Sequence, residues 1–497
     1  MTDKLDLLVK NVRLVRPHSD AVQTMDIGIK EGRFARIEAD IPAEDAANVF
    51  DGQGRMAFPG AIDSHTHVGI YVPTKDDAPT ESAAAASGGV TVIIPYVRTG
   101  SLYLNMGGSL KDFWPALMAQ SEGRYYIDYA YHVSPIAGSQ IDEMEYLITE
   151  CGAPNFGEVF MFYGLHGLHG RSDTQSKWLM LAEGDHYDIA HFDFICREAA
   201  RLQKQYPEIA RYIQVSWHCE TPEILRAYET KIRSEGKLDG LAAYSEARPP
   251  HSEAVAVGVV GSLAQAAGLK QVNILHITSR EAMDAALTAR AAYPDVEFGL
   301  EVTAGHLLLD TTCHMGAYAK VNPPLRPREH VEYLWERVLD GTLQWVMTDH
   351  ANCPKALKVD ADDPTSVWKA RAGFGGTEYM LPGIFSEGTR RGLTPNRVAE
   401  LTSWNPAQRF GLLNKGDIAP GYDADLVLLD PEEEWTIRAE ASFSAQGYTP
   451  FEGIEVKGRV KTTFVRGQRV FDNGEMVGEM IGEYQKRPSA LPVPTEA

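Results

Sequence analysis

Cysteine is scarce in this chain of 497 residues. Its five cysteines, Cys151, Cys196, Cys219, Cys313 and Cys353, are odd in number and lack the CxxC spacing of a zinc knuckle or a thioredoxin site. Free thiols in a reducing compartment are the expectation. Long apolar runs are missing as well, and none reaches the roughly 18 residues that a membrane span requires. The stretch Met1 to Lys10 is charged throughout, without the apolar core of a signal peptide. Positive charge is in deficit: 47 Lys and Arg face 68 Asp and Glu, for a formal net charge of −21. A phosphate backbone needs a basic surface, so nucleic acid is excluded as a partner. Together these absences give a cytoplasmic protein with no membrane and no nucleic acid to bind.

What is present is the material of a large globular enzyme. Hydrophobic residues make up 44% and charged residues 23%, ordinary for a soluble fold. The length suits an α/β barrel of about 250 residues or more plus a smaller satellite. Residues 1–58 read as short strands and tight turns, such as Asp26–Lys30 followed by Glu31-Gly32-Arg33. The same texture returns at Ala424–Asp430 and Thr462–Val470. Both ends of the chain are therefore expected to form one small β domain, a sandwich built from residues 1–58 and 414–480, with a tail at 481–497.

Between them, over 59–413, apolar β-like runs alternate with amphipathic helical stretches such as Ser252–Ala267 and Arg280–Tyr293. Eight strand ends are predicted near His65, Val97, Val133, Glu158–Phe162, His218, His276, Thr303 and Asp349. Eight such units imply a closed TIM-like (β/α)8 barrel, which gathers its chemistry at the C-terminal ends of the strands.

Candidate ligands stand at those ends. In Asp63-Ser64-His65-Thr66-His67, two histidines at i and i+2 on a strand point the same way and can meet one metal ion. His218 follows Val215-Ser216-Trp217, His276 follows Asn273-Ile274-Leu275, and Asp349 closes Trp345-Val346-Met347-Thr348. Alone, each lone histidine reads as a satisfied core residue and the aspartate as a loop carboxylate. Converging in one barrel mouth, four imidazoles and a carboxylate are a donor set for zinc or a similar divalent metal.

At these residues the chain resembles the amidohydrolase superfamily, and within it the dihydropyrimidinase and hydantoinase family. The likeness runs from Pro59-Gly60 through His67, Arg248-Pro249-Pro250-His251-Ser252-Glu253, Glu301-Val302-Thr303 and Lys320–Arg326 to Thr348-Asp349-His350. It continues through Asn405-Pro406-Ala407, Lys415-Gly416-Asp417-Ile418 and Gly421–Leu426. The resemblance implies hydrolysis of a cyclic amide or imide C–N bond by metal-activated hydroxide. It implies one or two Zn2+ ions per subunit, with Mn2+ or Fe2+ as alternatives, and a homo-oligomer, dimer or tetramer. By position, His65 and His67 would bind the more buried metal and His218 and His276 the more exposed one. Asp349 would bind the buried metal and shuttle a proton to the leaving nitrogen, and Tyr163 would stabilise the oxyanion.

The family's carboxylated lysine at the end of strand 4 is absent. Tyr163 fixes the register, and the lysine position is Glu158; no lysine lies between Lys111 and Lys177. Glu158 offers the same two carboxylate oxygens with a reach shorter by roughly 3–4 Å, so bridging of two metals, binding of one, and an empty site all stay open. Substrate contacts implied by the resemblance fall on Asn322, through its main chain, and on Tyr96, Arg98 and Tyr103 in the loop after strand 2. An altered loop, Gly164–Arg171, adds His166 and His169 at the barrel mouth. Two rivals stand beside the hydrolase reading: a catalytically silent scaffold, and a different hydrolytic or decarboxylating reaction on the same metal site.

Overall fold

The computed structural model describes residues 4–19, 21–161 and 179–492. Among these residues, eighteen strands divide into two sheets. The first comprises β1 (Leu5–Leu14), β2 (Gln23–Lys30), β3 (Arg33–Glu38), β4 (Ala46–Asp51) and β5 (Met56–Pro59) from the start of the chain. Its other strands, β15 (Leu426–Thr436), β16 (Glu455–Val465), β17 (Gln468–Asp472) and β18 (Glu475–Met476), come from the end. The antiparallel pairing of β5 with β15 joins the two halves. The strands hydrogen-bond as one continuous sheet that curls until Arg33 bridges Asp423. Alternating apolar residues of its inner face, among them Val9, Ile27, Ile29, Leu426, Leu428 and Phe464, form a core of their own.

The second sheet is a parallel barrel. It runs through β6 (Ala61–Thr66), β7 (Val90–Arg98), β8 (Asp128–Tyr129) with β9 (His132–Ser134), β10 (Asn155–Phe160), β11 (Gln214–His218), β12 (Gln271–Ile274), β13 (Glu297–Thr303) and β14 (Trp345–Met347). Because β8 and β9 share the third position, there are eight positions in the ring. Closure between β14 and β6 is made by a Thr66–His350 bridge, by Asp349 N–H donating to His65 C=O at 2.9 Å and by His67 N–H donating to His350 C=O at 2.6 Å. Three of those five residues, His65, His67 and Asp349, are candidate ligands, so closing the ring also sets the site.

Strand periodicity separates the two surfaces of the barrel wall. On β11, Val215 and Trp217 pack outward into the main core, with Val260 and Ala264 of the helix Pro250–Ala267 in the same cluster. Gln214, Ser216 and His218 share the inner face. Ser216 and Gln214 join Asn155 and Asn273 in a buried hydrogen-bonded layer, with distances of 2.9 Å from Ser216 Oγ to both Asn155 Oδ1 and Asn273 Nδ2. This polar floor is satisfied internally, as burial requires, and His218 is the next inward residue above it.

The two units are clamped by buried charge. Lys415 Nζ lies 2.9 Å from Asp128 Oδ2 on β8 and 2.8 Å from Asp425 Oδ2, while Arg466 pairs with the other oxygen of Asp128. All five cysteines are free. Among the described residues no helix is long and apolar enough to cross a membrane.

Candidate metal centre

Glu158 sits at the middle of the barrel mouth. Simple alternation along β10 would put it on the opposite wall face from Asn155, which points inward. The register of β10 against β11 slips between Phe156 and Val159, and the slip brings Glu158 to the inner side. The neighbouring Gly157 tolerates no side chain: a Cβ there would lie 2.8 Å from Ser216 O and 2.9 Å from Ser216 Cβ.

The two oxygens of Glu158 face two different groups. Oε1 lies 2.9 Å from His218 Nδ1 and 2.9 Å from His276 Nε2. Oε2 lies 3.5 Å from His65 Nε2 and 3.4 Å from His67 Nε2. Those same two nitrogens meet Asp349 Oδ1 at 3.4 and 3.0 Å. All six side chains are buried. Two sets, His65–Glu158–His276 and His65–His67–Asp349, each bring three donor atoms close enough to hold one ion.

Electrostatics favour a cation here. Burial by itself would strip a proton from His65, yet Asp349, Glu158 and Glu301 outweigh it and lift its pKa to about 10. His67 is likewise raised against the cost of burial, with Asp349 and Glu158 among the groups that raise it. Burial also opposes charge on Glu158, and His65, His218 and His276 overcome it, so the carboxyl is held well below its ordinary range. Such a cluster attracts protons until a metal displaces them. His65 Nε2 and Glu158 Oε2 are both buried without a hydrogen-bond partner, a costly state that a shared ion relieves. The donor set and the orphaned atoms therefore fit a divalent metal.

The ligand histidines are braced from behind. His65 Nδ1 lies 3.0 Å from Glu301 Oε1, whose other oxygen accepts from Trp345 Nε1 at 2.8 Å. His67 Nδ1 lies 2.8 Å from Tyr103 Oη. His218 Nε2 lies 2.7 Å from Glu220 Oε2, and Arg248 grips Glu220 with both arms of its guanidinium. Partners of this kind fix ring orientation and tautomer. Sequence reasoning gave Tyr103 to the substrate pocket and not to the support of His67, and passed over Glu220, whose one signal is its place two residues after His218.

Over the cluster lies a cavity of about 400 Å3, lined on one side by His67, Glu158, His218 and Asp349. Asn322 lines it too, and its side-chain oxygen accepts from Tyr244 Oη at 2.5 Å. Tyr96 and Arg98 were expected in the loop after the second barrel strand, and this is corrected: both belong to β7 and are buried. Neither is among the described residues that line the cavity. Tyr96 lies behind the centre, edge-on to the His65 ring at 4.6 Å and stacked on His132 at 4.4 Å. It serves as packing for a ligand, because β7 runs on past it to Arg98. Tyr163, His166 and His169 lie outside the described residues.

Comparison with known proteins agrees with this architecture. Residues 265–470 match the model of the amidohydrolase family. An allantoinase from Rubrobacter xylanophilus is 31% identical over 484 residues, covering 96% of this chain and 97% of that one. A D-hydantoinase from Rhizobium radiobacter is 28% identical, covering 97% and 99%. The solved dihydropyrimidinase of Brevibacillus agri superimposes with a TM-score of 0.82 at 28% identity, covering 98% of this chain and 99% of its own.

Proposed function

The chain belongs to the amidohydrolase family, among the hydrolases of cyclic amides, and from that premise we propose that it opens a ring C–N bond at a metal centre that Glu158 and its neighbouring histidines would hold. The observation behind this reading is the division of the Glu158 oxygens, one toward His218 and His276 and one toward His65 and His67. His65, His67 and Asp349 would hold one ion, His218 and His276 the other, and Glu158 both. Zn2+ suits these nitrogen and carboxylate donors best.

When bound, the metal lowers the pKa of water toward ~7 and polarises the scissile carbonyl. The protein's own part is proton transfer and orientation. Asp349, whose carboxylate lines the cavity, accepts the proton from the attacking water and returns it to the ring nitrogen as the C–N bond breaks. Main-chain groups at Asn322 hold the amide against the metal wall. Tyr163 is assigned to the developing oxyanion from its place in the sequence, its phenol donating a hydrogen bond where the charge develops.

Ring opening of a panel of hydantoins, dihydropyrimidines, allantoin and cyclic imides tests the proposal with protein loaded separately with Zn2+, Mn2+ and Fe2+. Turnover that disappears with a chelator and returns with metal is expected. Failure on every ring with every metal sinks the reading. Glu301→Gln is expected to weaken metal retention about 10–100-fold by loosening His65, as read by competition with a coloured chelator. Retention equal to the parent would remove Glu301 from the support of the site.

A further inference from the structure

The cavity has a second wall, reached from His218 through Glu220 and Arg248 to the ring of Tyr244. Tyr244 also packs against Trp368, with centroids 6.0 Å apart, and Lys320 Nζ lies 4.7 Å from its centre. All of these but Glu220 line the cavity. In a chain of net charge −21, four cationic side chains, Arg248, Lys320, Lys369 and Arg371, line this one space. Among the described residues, the acidic ones lining it are Glu158 and Asp349, assigned to metal, and Glu229.

Most of that charge is already answered. Arg248 is paired with Glu220, Glu229 with Arg233 at 2.9 Å, and Lys369 lies 3.6 and 3.8 Å from Asp360 and Asp363. Lys320 and Arg371 have no carboxylate within 4.0 Å among the described residues. Lys320 is 8% exposed, and its hydrogen bond among the described residues goes to Ala370 C=O at 2.7 Å. An ammonium has three donors, so two remain. Burial, with Arg248 nearby, pushes the amine down to about 7, the mark of a cation lacking its counter-ion. Arg371 is exposed at the same cavity, its guanidinium over the Tyr71 ring at 5.5 Å. Tyr71 is itself anchored by donating to Ala372 C=O at 2.7 Å. A cavity of about 400 Å3 also gives more room than an unsubstituted cyclic diamide fills.

We propose that this wall is an anion subsite: the cyclic amide carries an exocyclic carboxylate, which Lys320 and Arg371 receive while Tyr244 and Trp368 flank the linking carbons. The proposal rests on the cyclic-amide reading above, and the test separates the two.

Metal-loaded enzyme is given two substrates with the same ring, one bearing a carboxylate side chain and the other its carboxamide. A kcat/KM about 10-fold or more higher for the carboxylate is expected, chiefly through KM, because hydrogen bonds to charged groups are the strong ones. The preference should shrink as salt rises. Arg371→Ala, at an exposed position that threatens no core, should reduce the ratio several-fold, and Lys320→Met should bring it near one. Equal use of the two substrates, or variants that lower both alike, overturns the subsite. Equilibrium binding of the same pair to Asp349→Asn protein gives an answer that needs no turnover. Tighter binding of the carboxylate there supports the subsite even if neither ring is hydrolysed, an outcome that defeats only the cyclic-amide reading. Equal binding defeats the subsite.

Discussion

Glu158→Gln is expected to yield a folded protein that holds metal about 10^2–10^4-fold more weakly and opens no ring at a measurable rate. Glutamine keeps the shape of the side chain and removes its charge. Around that charge stand four imidazole nitrogens at 2.9 to 3.5 Å, all buried. Removing one partner from a buried ionic cluster costs on the order of 3–5 kcal/mol, and each 1.36 kcal/mol is a factor of ten. Elemental analysis after dialysis, with activity measured in parallel, decides the matter. Stoichiometric metal in the glutamine protein would show that Glu158 is no ligand.

The same geometry predicts that lysine is no substitute. A carboxylated lysine reaches roughly 3–4 Å further than glutamate. Here the shorter side chain already reaches both histidine pairs, at 2.9 to 3.5 Å, which leaves no room between them for the longer adduct. Glu158→Lys is therefore expected to stay inactive even with bicarbonate supplied. Recovery in bicarbonate would mean that the ligand cage can expand to admit the longer side chain.

How much of this was legible in the sequence follows from the range of the interactions involved. Strand ends came within two residues of their places: His218 and Thr303 end β11 and β13, and Thr66, Arg98, Ser134, Ile274 and Met347 end their strands one or two residues from the predicted points. Those ends are fixed by local apolar runs and by the turns after them. The ligand candidates were legible for the same reason, each lying at the end of such a run. Glu301 was visible only as part of a motif; that it braces His65, 236 residues away, is a product of barrel closure. Tyr103 behind His67 and Arg248 behind Glu220 belong to the same class of long-range consequence. Tyr96 was misplaced because its role depends on which wall face β7 presents, and a uniformly buried strand gives no alternation to read.

Asp349→Asn separates proton transfer from metal binding. Asp349 has φ of +57°, in the left-handed region that few side chains besides glycine, asparagine and aspartate enter without strain. Asparagine therefore preserves the turn, whereas alanine would add about 1–2 kcal/mol of backbone cost to any chemical effect. The closing bond from residue 349 N–H to His65 C=O also survives, since it belongs to the main chain. What is lost is a basic oxygen. The expected result is a kcat lowered about 10^2–10^4-fold, the usual weight of a positioned general acid–base group, with kcat/KM falling in step. Metal loss should be milder than in Glu158→Gln, because Asp349 approaches only the His65–His67 pair, at 3.4 and 3.0 Å. Excess metal in the assay should restore occupancy without restoring rate. If added metal brings the rate back to within tenfold of the parent, Asp349 is a ligand alone, and the proton must reach the leaving nitrogen by another group.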